Sequence, residues 1–220
     1  MLDERLFATP SVAVERSRAV TVKMADISSA SIKDALCLID NYSDELSDKI
    51  IHDEDKVDKY EDRLGSYLVR VSSLSLTDRD SAEVTKLLHI INDFERISDH
   101  AVNIVQSAEE IKDKKLEFSG AAKSELLVMI SAVNEIVDLA YDSFVNQNFK
   151  SAHLVEPLEE VIDELRDSIK SRHIKRLQKG ECTIELGFVL SDLLTNLERI
   201  ADHCSNIAGC VLEMAMGDLS

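Results

Sequence analysis

Tryptophan is absent from this 220-residue chain, proline occurs twice, glycine six times, and aromatic side chains make up only 5% of it. Turn formers and rings this scarce exclude most β-sandwiches and barrels, which need frequent turns and large ring side chains. No charge-free run approaches the ~20 residues that cross a bilayer, and charged residues precede any apolar run at the N-terminus. Neither a membrane span nor a secretory signal is expected. Basic residues are outnumbered, 25 against 42 acids for a net charge of −17, so nucleic acid and anionic lipid would repel the surface. Cys37, Cys182, Cys204 and Cys210 form no CxxC pair, and are expected as reduced core thiols of a cytosolic protein rather than as disulfides or a zinc site.

What is present is a 45% apolar content, enough for one large or two small cores. Apolar residues in the long interval between Pro10 and Pro157 recur at three and four, the period of amphipathic helices. Six helices are expected. Thr9-Pro10 reads as an N-cap with proline at the first helical position, opening a helix that runs toward Asn41. Others are expected over about Asp44 to Val71, Asp78 to Lys112, Ala121 to Asn146, Asn148 to Gln178 and Ile184 to Met216. Thr77 followed by Asp80 is an acidic capping box for the third. Lys114 to Gly120 and Lys179-Gly180 are breaks, and Pro157 should kink the fifth helix or mark its effective start.

Internal similarity orders these helices. Asp93-Phe-Glu-Arg-Ile-Ser-Asp-His-Ala-Val-Asn-Ile104 matches Asn196-Leu-Glu-Arg-Ile-Ala-Asp-His-Cys-Ser-Asn-Ile207 at an offset of 103. Upstream, Glu54, Val57 and Asp58 match Glu159, Ile162 and Asp163 at an offset of 105, as does Met24 with Met129. The fold class expected is therefore all-α, a tandem duplication of three-helix bundles. Short connections make sequential helices antiparallel neighbours. The boundaries are a linker over 1–9, a first repeat over 10–115 and a second over 116–220.

Each half carries Glu-x-x-x-Asp twice, as Glu54/Asp58 and Glu95/Asp99, then Glu159/Asp163 and Glu198/Asp202. Residues four apart share a helix face, where two like charges destabilise unless a cation offsets them. Antiparallel packing of the second and third helices would bring four carboxylates together in each half. Oxygen donors of this kind suit hard cations such as magnesium, manganese, calcium or iron. Twenty Glu and an Asp at one position in ten give about two such spacings by chance, against five in the chain. The fifth, Glu109/Asp113, has no counterpart and reads as solvated surface. The repeated block carries more weight, because Arg, His and Asn stand at fixed offsets around the acids in both halves. His100 and His203 follow the Asp about 100° around the helix, and they either hydrogen-bond to a ligand or pack on a neighbouring helix. Asn103 and Asn206 read as donors behind the ligands or as water anchors. Arg96 and Arg199 adjoin the acids, and pairing with them is the alternative to metal. His173, near the end of the fifth helix, is expected to interact with that helix's C-terminus; His52, His89 and His153 show no pattern. No phosphate loop, nucleophile elbow or Glu-x-x-His di-iron motif occurs, so an enzyme is not expected.

Glu95-Arg-Ile-Ser-Asp99-His100 and Glu198-Arg-Ile-Ala-Asp202-His203, each followed by Asn at 103 and 206, resemble the PhoU family over nearly the whole chain. The resemblance implies tandem three-helix bundles whose Glu-x-x-x-Asp pairs bind multinuclear metal clusters of iron, manganese, magnesium or zinc. It also implies a role in restraining phosphate uptake or signalling, with a membrane phosphate transporter or another phosphate-signalling protein as partner. Inorganic phosphate at the metal and a homodimer stay open. Leu2 to Ala13 is similar to the segment joining the membrane part of bacterial sodium/phosphate cotransporters to a cytoplasmic PhoU-like tail. That likeness implies a cytoplasmic module at the inner face of the membrane, attached through a loosely anchored linker.

Overall fold

The computed structural model describes residues 2–217, with side chains described through Glu213. Six α-helices carry the described residues: α1 (Pro10–Leu38), α2 (Asp44–Ser72), α3 (Asp78–Asp113), α4 (Gly120–Val145), α5 (Phe149–Gln178) and α6 (Ile184–Gly217). Each boundary falls within a few residues of the sequence expectation, because the local signals act locally. The Thr77 hydroxyl accepts from the Asp80 amide at 3.1 Å, while Ser43 and Ser119 cap α2 and α4 in the same way. After α5 the chain turns at Gly180, whose φ of 68° lies in the left-handed region that glycine enters without a Cβ clash. Thr9 departs from its expected role. Its side chain makes no capping bond, and Pro10 alone sets the start of α1.

α5 continues through the Pro157 position, having started two turns earlier at Phe149, so Pro157 does not mark its start. Pro157 and His153 are both exposed, so water can satisfy the carbonyl freed by the missing N–H.

Helices α1 to α3 pack on one another, as do α4 to α6. Side-chain pairs fix the directions. Ser11 bonds to Asp80 at 2.7 Å, so α1 and α3 start at the same end, and Lys112 pairs with Asp44 at 2.8 Å, so α3 ends beside the start of α2. In the second set Arg176 meets Glu125 at 2.8 Å, bringing the end of α5 to the start of α4. The repeats agree in their cores as well, with Met24 and Met129, Val57 and Ile162, and Ile104 and Ile207 all fully buried.

The two bundles share one hydrophobic core. α3 packs on α6 as extensively as on α1, and α1 also touches α4. Arg18 clasps this seam: it pairs with Glu83 at 3.1 Å, donates to the Phe144 carbonyl at 2.6 Å and lies over the Phe144 ring at 4.8 Å. Tyr141 reaches across to Asp26 at 2.6 Å.

Three expectations are corrected. Of the four cysteines, all free, only Cys204 is fully buried; Cys37 is exposed, and Cys182 and Cys210 are half-buried. Leu2 to Thr9 is no loose linker: Glu4–Ala8 forms a 3-10 turn capped by Asp3. Phe7 stacks on Tyr67 at 4.9 Å, the Tyr67 hydroxyl donates to the Asp3 carbonyl at 2.9 Å, and Arg70 pairs with Glu4 and covers the Phe7 ring. His173 packs on α6 instead of capping its own helix. A Cβ on Gly187 would come within 2.8 Å of the His173 Nε2, so glycine is what allows the ring its place.

Candidate functional site

The repeated block of α3 and α6 presents two faces. Successive helix residues turn by about 100°, so Glu95 and Asp99 lie on one stripe while Asp93, His100 and Asn103 lie on another. The first stripe faces α2, the second faces α6, and the second repeat divides in the same way.

On the first stripe the structure brings together the carboxylates expected from sequence. Glu54 on α2 feels the charge of Asp99 on α3, and its own neighbours Asp58 and Asp55. Burial raises its pKa, and these charges add to the effect. Glu95 is pushed up to about 7, by burial first, then by Asp99 and Glu61, with Arg96 opposing. Glu61 is a fifth carboxylate that the spacing rule missed, and burial, Asp62 and Asp58 raise its pKa too. Arg96 stays at the rim, 54% exposed, at 3.4 Å from Asp99 and 3.6 Å from Glu95. Such an exposed, long pairing is weak.

The second cluster repeats the geometry with one change. Glu159 on α5 feels Asp163 and Asp202, and burial raises its pKa. Arg199 copies Arg96, 57% exposed and 3.3 Å from Asp202. Inside the cluster stands Arg166, whose Nη1 lies 2.6 Å from Glu198 on α6 and 3.0 Å from Asp163 on its own helix. Arg166 and Glu198 are only 20% and 14% exposed. Burial and Asp202 still raise the Glu198 pKa, against the pull of Arg166 and Arg199. Arg166 occupies the position that Glu61 holds in the first repeat, at the offset of 105 shared by Glu54/Glu159 and Asp58/Asp163.

Both clusters offer oxygen donors that suit a hard cation. The first fits in composition, having five acids with its arginine at the rim. The second already holds a cation of its own. Among the described residues, no three acid, histidine or cysteine side chains converge as they stand into a ready coordination cage.

The other stripe does different work. Of the two roles open to His100, the structure shows contact with a neighbouring helix, and Asn103, expected as a donor behind the ligands or a water anchor, points across to the other bundle with it. His100 Nδ1 donates to Asn196 Oδ1 at 2.8 Å, and Asn103 Nδ2 donates to the same oxygen at 3.2 Å. His203 and Asn206 do the same to Asp93 Oδ1, at 2.9 and 3.2 Å. Asp93 and Asn196 are themselves equivalent at the offset of 103, and the two histidine rings lie 5.7 Å apart. The seam thus has local two-fold symmetry, each repeat gripping the other by the same residues. Burial lowers the His100 pKa and His203 lowers it further, while its bond to Asn196 opposes. Both Asp93 and Asn196 stand at the head of the repeated block, so the repeat itself could have marked them.

Comparison with known proteins agrees with this arrangement. The PhoU domain profile matches residues 21–108 and again 126–211, one copy for each bundle. A phosphate-specific transport system accessory protein, PhoU homolog 1 of Thermotoga maritima, is 25% identical over 199 residues, covering 89% of this chain and 84% of the relative. The PhoU homolog of Xylella fastidiosa is 25% identical, covering 93% of this chain and 86% of the relative. In fold, the crystal structure of PhoU from Pseudomonas aeruginosa superposes with a TM-score of 0.86 at 20% identity, covering 92% of this chain and 97% of that one. With both halves matched by the same domain, the chain belongs to the PhoU family.

Proposed function

We propose that this chain is an accessory regulator of phosphate transport, a helical adaptor that acts by contact with a transporter or a phosphate-signalling protein rather than by catalysis. The observation that carries this reading is the match of both repeats, in one continuous alignment, to accessory proteins of phosphate-specific transport systems. A strain deleted for the gene should take up more radioactive phosphate in phosphate-replete medium than its parent, and re-expression should restore the parental rate. Uptake unchanged by the deletion rejects the reading.

In this regulator the acids of the first repeat, Glu54, Asp58, Glu95 and Asp99 with Glu61 beside them, are read as ligands for iron, manganese, magnesium or zinc. The support is chemical: five carboxylates whose Glu members are half-buried repel one another, and a bound cation would offset that repulsion. A bound ion would stabilise only the folded state. Added Mn²⁺ should therefore raise the Tm of chelated protein, and Asp99→Asn should blunt the rise. No Mn²⁺ effect on Tm favours an adaptor that works without metal.

A second reading attaches the module to a membrane cotransporter. Its support is the likeness of Leu2 to Ala13 to a cotransporter connecting segment, together with the packing of Asp3, Glu4 and Phe7 on Tyr67 and Arg70. A joint of that kind would hold a preceding domain rigidly at the inner face of the membrane. Among the described residues no helix is long and apolar enough to cross a membrane. The relatives named above are accessory proteins in their own right, which favours the first reading. The reading frame upstream of Met1, and the size of the native protein on an immunoblot, decide between the two.

A further inference from the structure

The two acidic clusters have diverged at one position, and that position lies at the centre of the second. Glu61 and Arg166 occupy equivalent places on α2 and α5. In the second repeat the Arg166 guanidinium reaches Glu198 on the neighbouring helix at 2.6 Å and Asp163 at 3.0 Å, while its Nε meets Asp167 at 3.0 Å. We propose that Arg166 is the resident counter-ion of the second cluster, so that metal binds to the first repeat alone and the duplicated sites are no longer equivalent.

The argument is one of charge and occupancy. A guanidinium is charged at any working pH and its planar fork spans two carboxylates, so it offsets the like-charge repulsion that a metal ion would otherwise relieve. A metal entering there would meet a fixed positive charge and a Glu198 oxygen already hydrogen-bonded to it at 2.6 Å. It would have to displace a side chain that is 20% exposed and held by three acids on two helices. The first repeat places an acid at that point. Its nearby cations, Arg96 and Lys59, sit at the rim with side chains 54% and 65% exposed. Such screened contacts compete little with a multivalent ion. The family resemblance implies clusters in both repeats; the residues of this chain fit only one.

The inference rests on the metal reading of the first repeat for its stoichiometry, and on Arg166 alone for the rest. Mn²⁺ bound to the intact chain is counted by electron paramagnetic resonance. Glu95→Gln should abolish high-affinity binding and Glu198→Gln should leave it unchanged. Arg166→Glu, which installs the first repeat's residue, should add a second site; Glu61→Arg should remove the first. Should Arg166→Glu fail to fold, Arg166→Gln carries the same test, since it vacates the guanidinium without adding charge. Two equal sites in the unaltered chain, or binding lost with Glu198→Gln and kept with Glu95→Gln, overturn the inference while leaving the metal reading intact. Absence of Mn²⁺ binding in the unaltered chain overturns the metal reading. The counter-ion role is then judged in chelator, where Arg166→Gln should lower Tm by about 4 °C and Glu61→Gln should not. An unchanged Tm in Arg166→Gln overturns it.

Discussion

At the scale of single residues, one helical block performs two tasks because its side chains leave the helix at different angles. Glu95 and Asp99 face α2, whereas Asp93, His100 and Asn103 face α6. Asp93 is 5% exposed and accepts from both His203 and Asn206, so Asp93→Leu would orphan two donors and should cost about 2 kcal/mol in chemical denaturation. Asp93→Asn should cost far less, because Asn196 fills the equivalent place with an amide oxygen. Glu95 gives a pH prediction. Its folded pKa of about 7 lies above the ordinary glutamate value of 4.5, so between those values the native state holds a proton that the unfolded chain has lost. Stability of metal-free protein must then fall as pH rises from about 5 to 7. With solvent screening the loss from Glu95 should be about 2 kcal/mol, and Glu54, Glu61, Glu159 and Glu198 act in the same direction. His100 opposes: its lowered pKa favours unfolding as pH falls below the ordinary histidine value. Thermal melts in chelator should show the higher Tm near pH 5, and a Tm that climbs from pH 5 to 7 contradicts the crowding of the acids.

At the scale of elements, caps and docking decide where helices start and what the chain end does. The Thr77 cap satisfies the Asp80 amide, and Thr77→Ala should cost about 1 kcal/mol of stability without altering the seam. The N-terminal turn is held by ring stacking, a tyrosine hydroxyl and an ion pair rather than by chain continuity alone. Residues 2–9 should therefore resist limited proteolysis in the intact protein, and Tyr67→Ala should make them the first site cut. Equal resistance in both proteins would mean that the stack contributes nothing.

At the scale of the whole molecule, the α3 and α6 contact makes the bundles one cooperative unit. Each repeat ends in a face built to be gripped by its twin, so heat should unfold both in a single transition. The symmetry of the seam adds a sharper expectation for residues 10–115 produced alone. The Asp93 and His100 of one copy are complementary to the His100 and Asp93 of another, as they are to His203 and Asn196 within the chain. Such a fragment should self-associate through α3 as a two-fold dimer, and His100→Ala should weaken it. A stable, soluble monomer by sedimentation would show that the seam is dispensable to the bundle.

The sequence alone determined the six helices, their order and their duplication, because periodicity, caps and breakers act within a few residues and a repeat is visible at any distance. It also determined that Glu54 would share a face with Asp58 and Glu95 with Asp99, and their counterparts likewise, since residues four apart do so wherever the helix goes. Only the tertiary structure decided which groups those faces would meet. Asp93 and Asn196 became acceptors because the other bundle lies against them, and His100 and His203 turned away from the acids for the same reason. Glu61 and Arg166 stand seven residues from Glu54 and Glu159, two turns along the same stripe. Nothing in that spacing tells a guanidinium from a carboxylate in its effect until α6 brings Glu198 within 2.6 Å. The docking of the N-terminal segment is illegible in the sequence on the same ground: eight residues without a repeat carry no local sign of the Tyr67 and Arg70 side chains that receive them some sixty positions later.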